Sequence, residues 1–182
     1  NNTISNAQLN AILDKNNNEY TTAFVEGSVE LHLQGEGTAD KPYLINDISD
    51  LEFFRDAVNA GNTYQGKYVK LTGDIDLAEG QNRSTVSNWE PISTFNGTFD
   101  GADHTISNLV IEGGTNSNQG FFGQTNNGEI KNLTINNAKV TGRLNVGVVA
   151  GTPYTSKYTN IKVTGHVEVN GMAYVGGVGG KN

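Results

Sequence analysis

Three segments of the chain repeat one strand pattern, and each is followed by a glycine-rich box. The strands are Ile106–Ile111, Ile130–Ile135 and Tyr158–Val163, all apolar-x-Asn-apolar-x-apolar, with Tyr158 in place of the first aliphatic residue. The boxes are Gly120-Phe121-Phe122-Gly123, Gly147-Val148-Val149-Ala150-Gly151 and Gly176-Gly177-Val178-Gly179. They follow their Asn by 12, 15 and 16 positions, and Asn108, Asn132 and Asn160 stand 24 and 28 residues apart. A period of roughly 20 to 50 residues, built from short strands without intervening helices, predicts a coiled solenoid. One winding cannot bury its own inward Leu, Ile, Val or Phe, whereas stacked windings enclose them in a continuous column. In that frame the box glycines Gly120, Gly123, Gly147, Gly151, Gly176 and Gly179 are corners, where glycine tolerates positive φ. Asn108, Asn132 and Asn160 either share amide bonds in an axial ladder or satisfy their turns one by one, and both roles are structural.

Composition agrees. The 182 residues suit one domain with a real core, and they include 23 Gly and 25 Asn. Gly costs about 1 kcal/mol per helix-interior site relative to Ala, and Asn prefers caps and turns, so short strands joined by many bends are favoured. Apolar residues recur too regularly for a disordered chain. A net charge of −7 repels a phosphate backbone, so no nucleic-acid partner is expected. No apolar run approaches the roughly 20 residues that cross a bilayer, so no membrane insertion by this segment is expected. The absence of Cys removes disulfides, Cys-based zinc sites and thiol chemistry.

Residues 1–34 form a first segment, with a short helix over Ser5–Leu13 and strand character from Thr21 to Leu33. Residues 35–182 form the solenoid. A capping box at Ser49-Asp50-Leu51-Glu52 starts a helix over Ser49–Ala60, with Leu51, Phe54, Ala57 and Val58 on one face and Gly61 as terminator. This amphipathic helix is expected to cap the N-terminal end of the solenoid. Extended pieces follow at Tyr68–Leu71, Ile75–Leu77, Phe95–Phe99 and Thr105–Ile111. The pattern still runs at Gly179 and Gly180, so truncation at the C-terminus is expected, with a last winding that is open or abuts another copy end to end.

The arrangement resembles the GLUG-repeat family, named for a Gly-Leu-any-Gly box and found in bacterial surface proteins, one of them a streptococcal-type immunoglobulin A protease. Further matches are Gly37–Ile45, Asp50–Arg55, Leu71–Leu77, Trp89–Ile92 and Phe95–Leu109, so the resemblance spans roughly Gly35 to Asn182. Ser93 stands where Gly often follows Pro-Ile, Ala150 interrupts the second box, and the box centres are Phe or Val rather than Leu. The resemblance implies a mainly β, pectin-lyase-like right-handed parallel β-helix at the bacterial cell surface or outside the cell. It further implies an adhesin-like or structural role, with a host or matrix glycan or protein as partner.

Asp74 and Asp76 alternate with Ile75 and Leu77, which puts both carboxylates on the outer face of a strand, and Asp100 and Asp103 follow in a turn with His104. Outward carboxylates on β-helices can perform acid-base chemistry on acidic polysaccharides, so these four Asp define the alternative reading, a polysaccharide lyase or glycoside hydrolase. The competing reading makes them solvated turn residues, and the primary expectation is no catalytic residue, no cofactor and no metal. His32, His104 and His166 are far apart with no HExxH spacing, so the peptidase of one family branch is not expected here. Tyr64, Tyr68, Tyr154, Tyr158 and Tyr174 offer aromatic faces to sugar rings, while Trp89, beside Pro91 and Ile92, is expected to be packed. The loops Gly113–Gln119 and 82–88 are candidate contact surfaces. A spacer within a larger surface enzyme is a further option.

Overall fold

Strands separated by roughly one solenoid period lie side by side and run parallel. The computed structural model describes residues 24–25, 28–29, 33–79 and 87–180. The expected helix at Ser5–Leu13, together with His32 and residues 82–86 of the candidate contact loop, lies outside them. β1 (Phe24–Val25) and β2 (Ser28–Val29) form a short antiparallel pair. There follow β3 (Tyr43–Ile45), α1 (Ile48–Asn59), β4 (Tyr68–Leu71), β5 (Ile75–Asp76), β6 (Ile92–Phe95), β7 (Thr98–Asp100) and β8 (Thr105–Glu112). The remaining strands are β9 (Phe122–Asn126), β10 (Glu129–Thr141), β11 (Leu144–Gly147), β12 (Ala150–Tyr154), β13 (Lys157–Asn170) and β14 (Ala173–Gly176).

The register makes the solenoid explicit. Tyr43 pairs with Val69, Val69 with Phe99, Phe99 with Ile130 and Ile130 with Tyr158, so successive windings advance by 26, 30, 31 and 28 residues. On a second face Ile75, Ile106, Ile135 and Val163 form another inward row, and on a third Ile92, Phe122 and Ala150 do so. The molecule is a parallel β-helix of about four windings with one short helix near its N-terminus. Its interior is aromatic at the start: Phe54, Phe95, Phe99, Phe121 and Phe122 are fully buried, with Phe95 stacked on Phe122 at 5.3 Å and Phe121 edge-on to Phe122 at 5.1 Å. Burying each ring contributes on the order of 2 kcal/mol. Towards the C-terminus Val146, Val148, Val149 and Ala150 take over, so the column narrows. Trp89 is buried as expected, stacked on Phe121 and covered by the Arg55 guanidinium at 4.8 Å.

The helix is capped two residues before the Ser49 of the predicted capping box. Asp47 is the N-cap, its carboxylate accepting from the amides of Ser49 (2.9 Å) and Asp50 (3.0 Å), while the Asp50 carboxylate reaches back to the Asn46 amide. An Asp pair performs the reciprocal capping, and Glu52 instead lies 3.7 Å from Arg55. Leu51, Phe54 and Val58 are buried, and Gly61 follows the helix at φ +106°.

Asn59, the last residue of α1, receives the Ser93 amide on Oδ1 (2.7 Å) and donates from Nδ2 to Pro91 O (3.3 Å). A side-chain amide thereby supplies the donor and acceptor that a neighbouring strand would offer, and the N-terminal edge of β6 is closed. The N-terminal edge of β3 is met by main chain, where Gln34 O accepts from the Leu44 amide at 2.8 Å. At the opposite end the inner row of β13 and β14 is only partly covered, with Val167 36% and Val175 43% exposed, and Tyr174, the corner beside Asn145 at φ 57°, is exposed as well. Among the described residues no further strand lies beyond β13 and β14.

Candidate functional site

The repeated Asn prove to be corner residues. Asn108, Asn118, Asn127, Asn132, Asn137, Asn145 and Asn160 all adopt positive φ between 51° and 60°. Asn tolerates this left-handed region far better than most non-glycine residues, because its short amide can bond locally. The same amides also link windings: Asn160 donates to Asn132 Oδ1 (3.1 Å), Asn145 to Asn118 Oδ1 (2.7 Å) and Asn137 to Asn108 Oδ1 (3.4 Å). Ladder and turn are therefore one device.

The expected alignment of Asn108 with Asn132 is corrected by the register. Leu133 lies beside Ile161, which stacks Asn132 on Asn160, but Ser107 and Leu109 lie beside Asn136 and Ala138, which stacks Asn108 on Asn137. β10 carries two corners five residues apart, at Asn132 and Asn137, each preceded by Ile at the second position before it, so the motif occurs twice in one strand. At the Asn137 corner the third winding places Gly165, at φ +74°.

The box glycines also act differently from the corner role expected of them. None of Gly120, Gly123, Gly147, Gly151, Gly176 and Gly179 has positive φ. Gly147 pairs with Gly176 and Gln119 with Val146, so Gly120, Gly147 and Gly176 form one row. Gly179 pairs with Ala150, which makes Gly180 rather than Gly179 the counterpart of Gly123 and Gly151. What these positions need is close backbone approach: a Cβ on Gly120 would lie 2.6 Å from Gly147 O and 2.8 Å from Gly151 N.

All four candidate carboxylates are engaged by the same scaffold. Asp74 Oδ1 accepts from the Thr105 amide (2.8 Å) and lies 3.3 Å from His104 Nδ1. Asp76 Oδ1 accepts from the Ala78 amide (2.9 Å) and Asn108 Nδ2 (2.7 Å). Asp103 Oδ1 accepts from Asn160 Nδ2 at 2.9 Å. Asp100 Oδ1 accepts from the Ala102 amide and Asn132 Nδ2, and its other oxygen lies 3.6 Å from Lys131 Nζ. Partial burial pushes the Asp100 carboxyl up, but the Asn132 and Ala102 bonds and the Lys131 ammonium outweigh it and hold the group below the usual carboxylate value. Sequence inspection finds no cation near these Asp; the parallel register supplies Lys131 from the next winding. Among the described residues no three His, Asp or Glu side chains converge as a metal-binding group.

Surface relief concentrates elsewhere. Two hollows of about 440 and 470 Å³ lie along the outer face of the sheet formed by β6, β9 and β12, and both are lined by Asn118 and Gln124. Their floor is a polar row across three windings, Thr94 beside Gln124 beside Thr152. The Asn118 corner forms one wall, its Oδ1 held by Asn145 and by Thr152 Oγ1 at 2.8 Å. Tyr154, 61% exposed, stands at one end next to Pro153. Of the surfaces anticipated from sequence, Tyr154 and the loop Gly113–Gln119 meet here, whereas Gln124, Thr152 and Asn145 carry no sequence signal. A separate groove of about 440 Å³ holds Tyr68 with Asn96, Asn127 and the Glu129–Lys157 ion pair (2.8 Å). Tyr64 is buried and Tyr158 partly buried, and burial pushes both phenols up to about 12; a Thr125 bond to Tyr158 only partly offsets it.

A parallel β-helix with amide-linked corners and a polar trough along its axis is the class of protein that this fold and surface define. No family model matches the chain. Halomucin of Haloquadratum walsbyi is 44% identical over 121 residues, covering 65% of this chain and 1% of that protein, so the chain spans about one hundredth of the curated relative it matches. Among solved structures, a protein of Bacteroides ovatus provisionally named an immunoglobulin A1 protease superposes with a TM-score of 0.56 at 25% identity, over 72% of this chain and 40% of that one.

Proposed function

We propose that the chain is a non-catalytic β-helix segment of a cell-surface or secreted protein, adhesin-like, that binds a host or matrix glycan or protein through its outer faces. The observation that carries the reading is the use of every candidate carboxylate, Asp74, Asp76, Asp100 and Asp103, as a hydrogen-bond acceptor within the corners. Carboxylates committed in this way are poorly placed to exchange protons with a substrate. The GLUG-type boxes and the likeness to halomucin support a surface role. Glycan-array and matrix-protein screens with the purified chain are expected to return at least one saturable partner; blank screens on both would overturn the reading.

One observation favours the alternative of a polysaccharide lyase or hydrolase, namely Asp100 and Lys131 set 3.6 Å apart on neighbouring windings. Release of unsaturated or reducing ends from acidic glycans, abolished in Asp100→Asn, would establish it.

A further inference from the structure

We infer that the trough over β6, β9 and β12 is a binding site for an uncharged, extended polysaccharide lying along the solenoid axis, with one sugar ring on Tyr154. The inference rests on the glycan branch of the reading above and names its site and ligand class.

The first argument is periodicity. Thr94, Gln124 and Thr152 occupy one register position on three adjacent parallel strands, so their side chains repeat every 4.7–4.9 Å or so. A linear polymer of pyranose rings repeats its hydroxyls on a similar scale, and a chain laid along the axis meets the same kind of group at each winding. The second argument is chemistry. Among the residues lining the two hollows Glu90 alone is charged at neutral pH, and neither Lys nor Arg is present to receive a uronate or sulfate. With a net charge of −7 on the chain as well, an acidic glycan is disfavoured. Hydroxyls and amides on the floor suit neutral sugars, whose hydroxyls both donate and accept.

The third argument is preorganisation. Asn118 is fixed by its left-handed backbone and by bonds from Asn145 and Thr152, so this wall is set before a ligand arrives. The Gln124 side chain, by contrast, has no hydrogen-bond partner among the described residues, and at the centre of the trough it is available to a ligand. The fourth is Tyr154, a largely exposed ring beside Pro153, which presents an apolar face at the end of a polar floor. The Tyr68 groove lacks this combination, since its Lys157 and Glu129 neutralise each other and its tyrosine is less exposed.

The test is titration of the full chain with neutral oligosaccharides (cello-, xylo- and manno-series) and with oligogalacturonate, followed by saturation-transfer NMR. At least one neutral series is expected to bind, with affinity rising until the oligomer spans the three windings. Tyr154→Ala and Gln124→Ala should each weaken it about tenfold, and Tyr68→Ala should leave it unchanged. Circular dichroism of each variant checks that the fold is kept. Neutral binding indifferent to Tyr154→Ala and Gln124→Ala, or tighter binding of oligogalacturonate, would overturn the trough while leaving surface binding intact. Binding to matrix protein with no glycan bound would overturn the inference and keep the adhesin reading. No partner of either kind would remove both.

Discussion

Replacing Gly120 by Ala isolates the requirement for backbone contact between windings. Gly120 has no positive φ, so Ala introduces no conformational strain there, and the cost in the folded state comes from where the new methyl must sit. Its neighbours would be Gly147 O at 2.6 Å, Gly151 N at 2.8 Å and the Ala150 carbonyl carbon at 2.9 Å, all main-chain atoms of the next winding. Relief therefore requires the adjacent strand to move, and overpacking of that kind costs typically 1–3 kcal/mol. Against this, Ala narrows the unfolded ensemble relative to Gly, a gain of about 0.4–1 kcal/mol. The net expectation is a loss of about 1–2 kcal/mol, or a fall in Tm of roughly 3–6 °C for a domain of this length. Gly177→Ala is the matched control, because an added Cβ there meets nothing within 4 Å and the backbone is not left-handed, so its Tm should hold or rise slightly. Thermal denaturation of the three proteins decides the matter. A Gly120→Ala protein as stable as the parent would refute the claim that the boxes exist for close packing.

Asn132→Ala should cost about 2 kcal/mol in chemical denaturation, since Ala is strained at φ 52° and two ladder bonds vanish, whereas Asn132→Gly, which keeps the φ, should lose about half as much. Asn59→Ala leaves Pro91 O and the Ser93 amide without their partner and should lower stability by about 1 kcal/mol. Tyr64 and Tyr158 have folded values raised to about 12 against an ordinary 10. Their contribution is complete below pH 10 and disappears as pH rises through 12, so stability should fall across that window, less steeply in Tyr158→Phe. Asp100 is shifted the other way, from an ordinary 3.8 downwards. Its contribution is present above that value and disappears as pH falls through the lower folded value, so acid unfolding of Asp100→Asn should show a weaker pH dependence below about pH 4.

The solenoid was legible because inward residues recur at nearly constant separation, and stacking alone explains that recurrence. Its register was not, since Ile130-Lys131-Asn132 and Ile135-Asn136-Asn137 look alike in one dimension, and only the hydrogen bonds distinguish the two corners. The division of labour between Asn and Gly was likewise hidden. Either residue tolerates positive φ, and sequence does not reveal that Gly120 and Gly147 face main-chain atoms while Asn132 and Asn160 turn the chain. Helix α1 was visible in its apolar face, but a capping Ser two residues after a capping Asp misplaced its start. Of the trough, Tyr154 could be picked out as an aromatic residue, whereas Thr94, Gln124 and Thr152 become neighbours only when segments about thirty residues apart are laid together.

Closure of the β6 and β3 edges by Asn59 and Gln34 limits what another chain can add to these two strands. A copy approaching from that side finds the ladder of β6 already answered and that of β3 occupied. These two strands therefore cannot serve as templates for strand-on-strand addition, the usual hazard of stacked parallel strands.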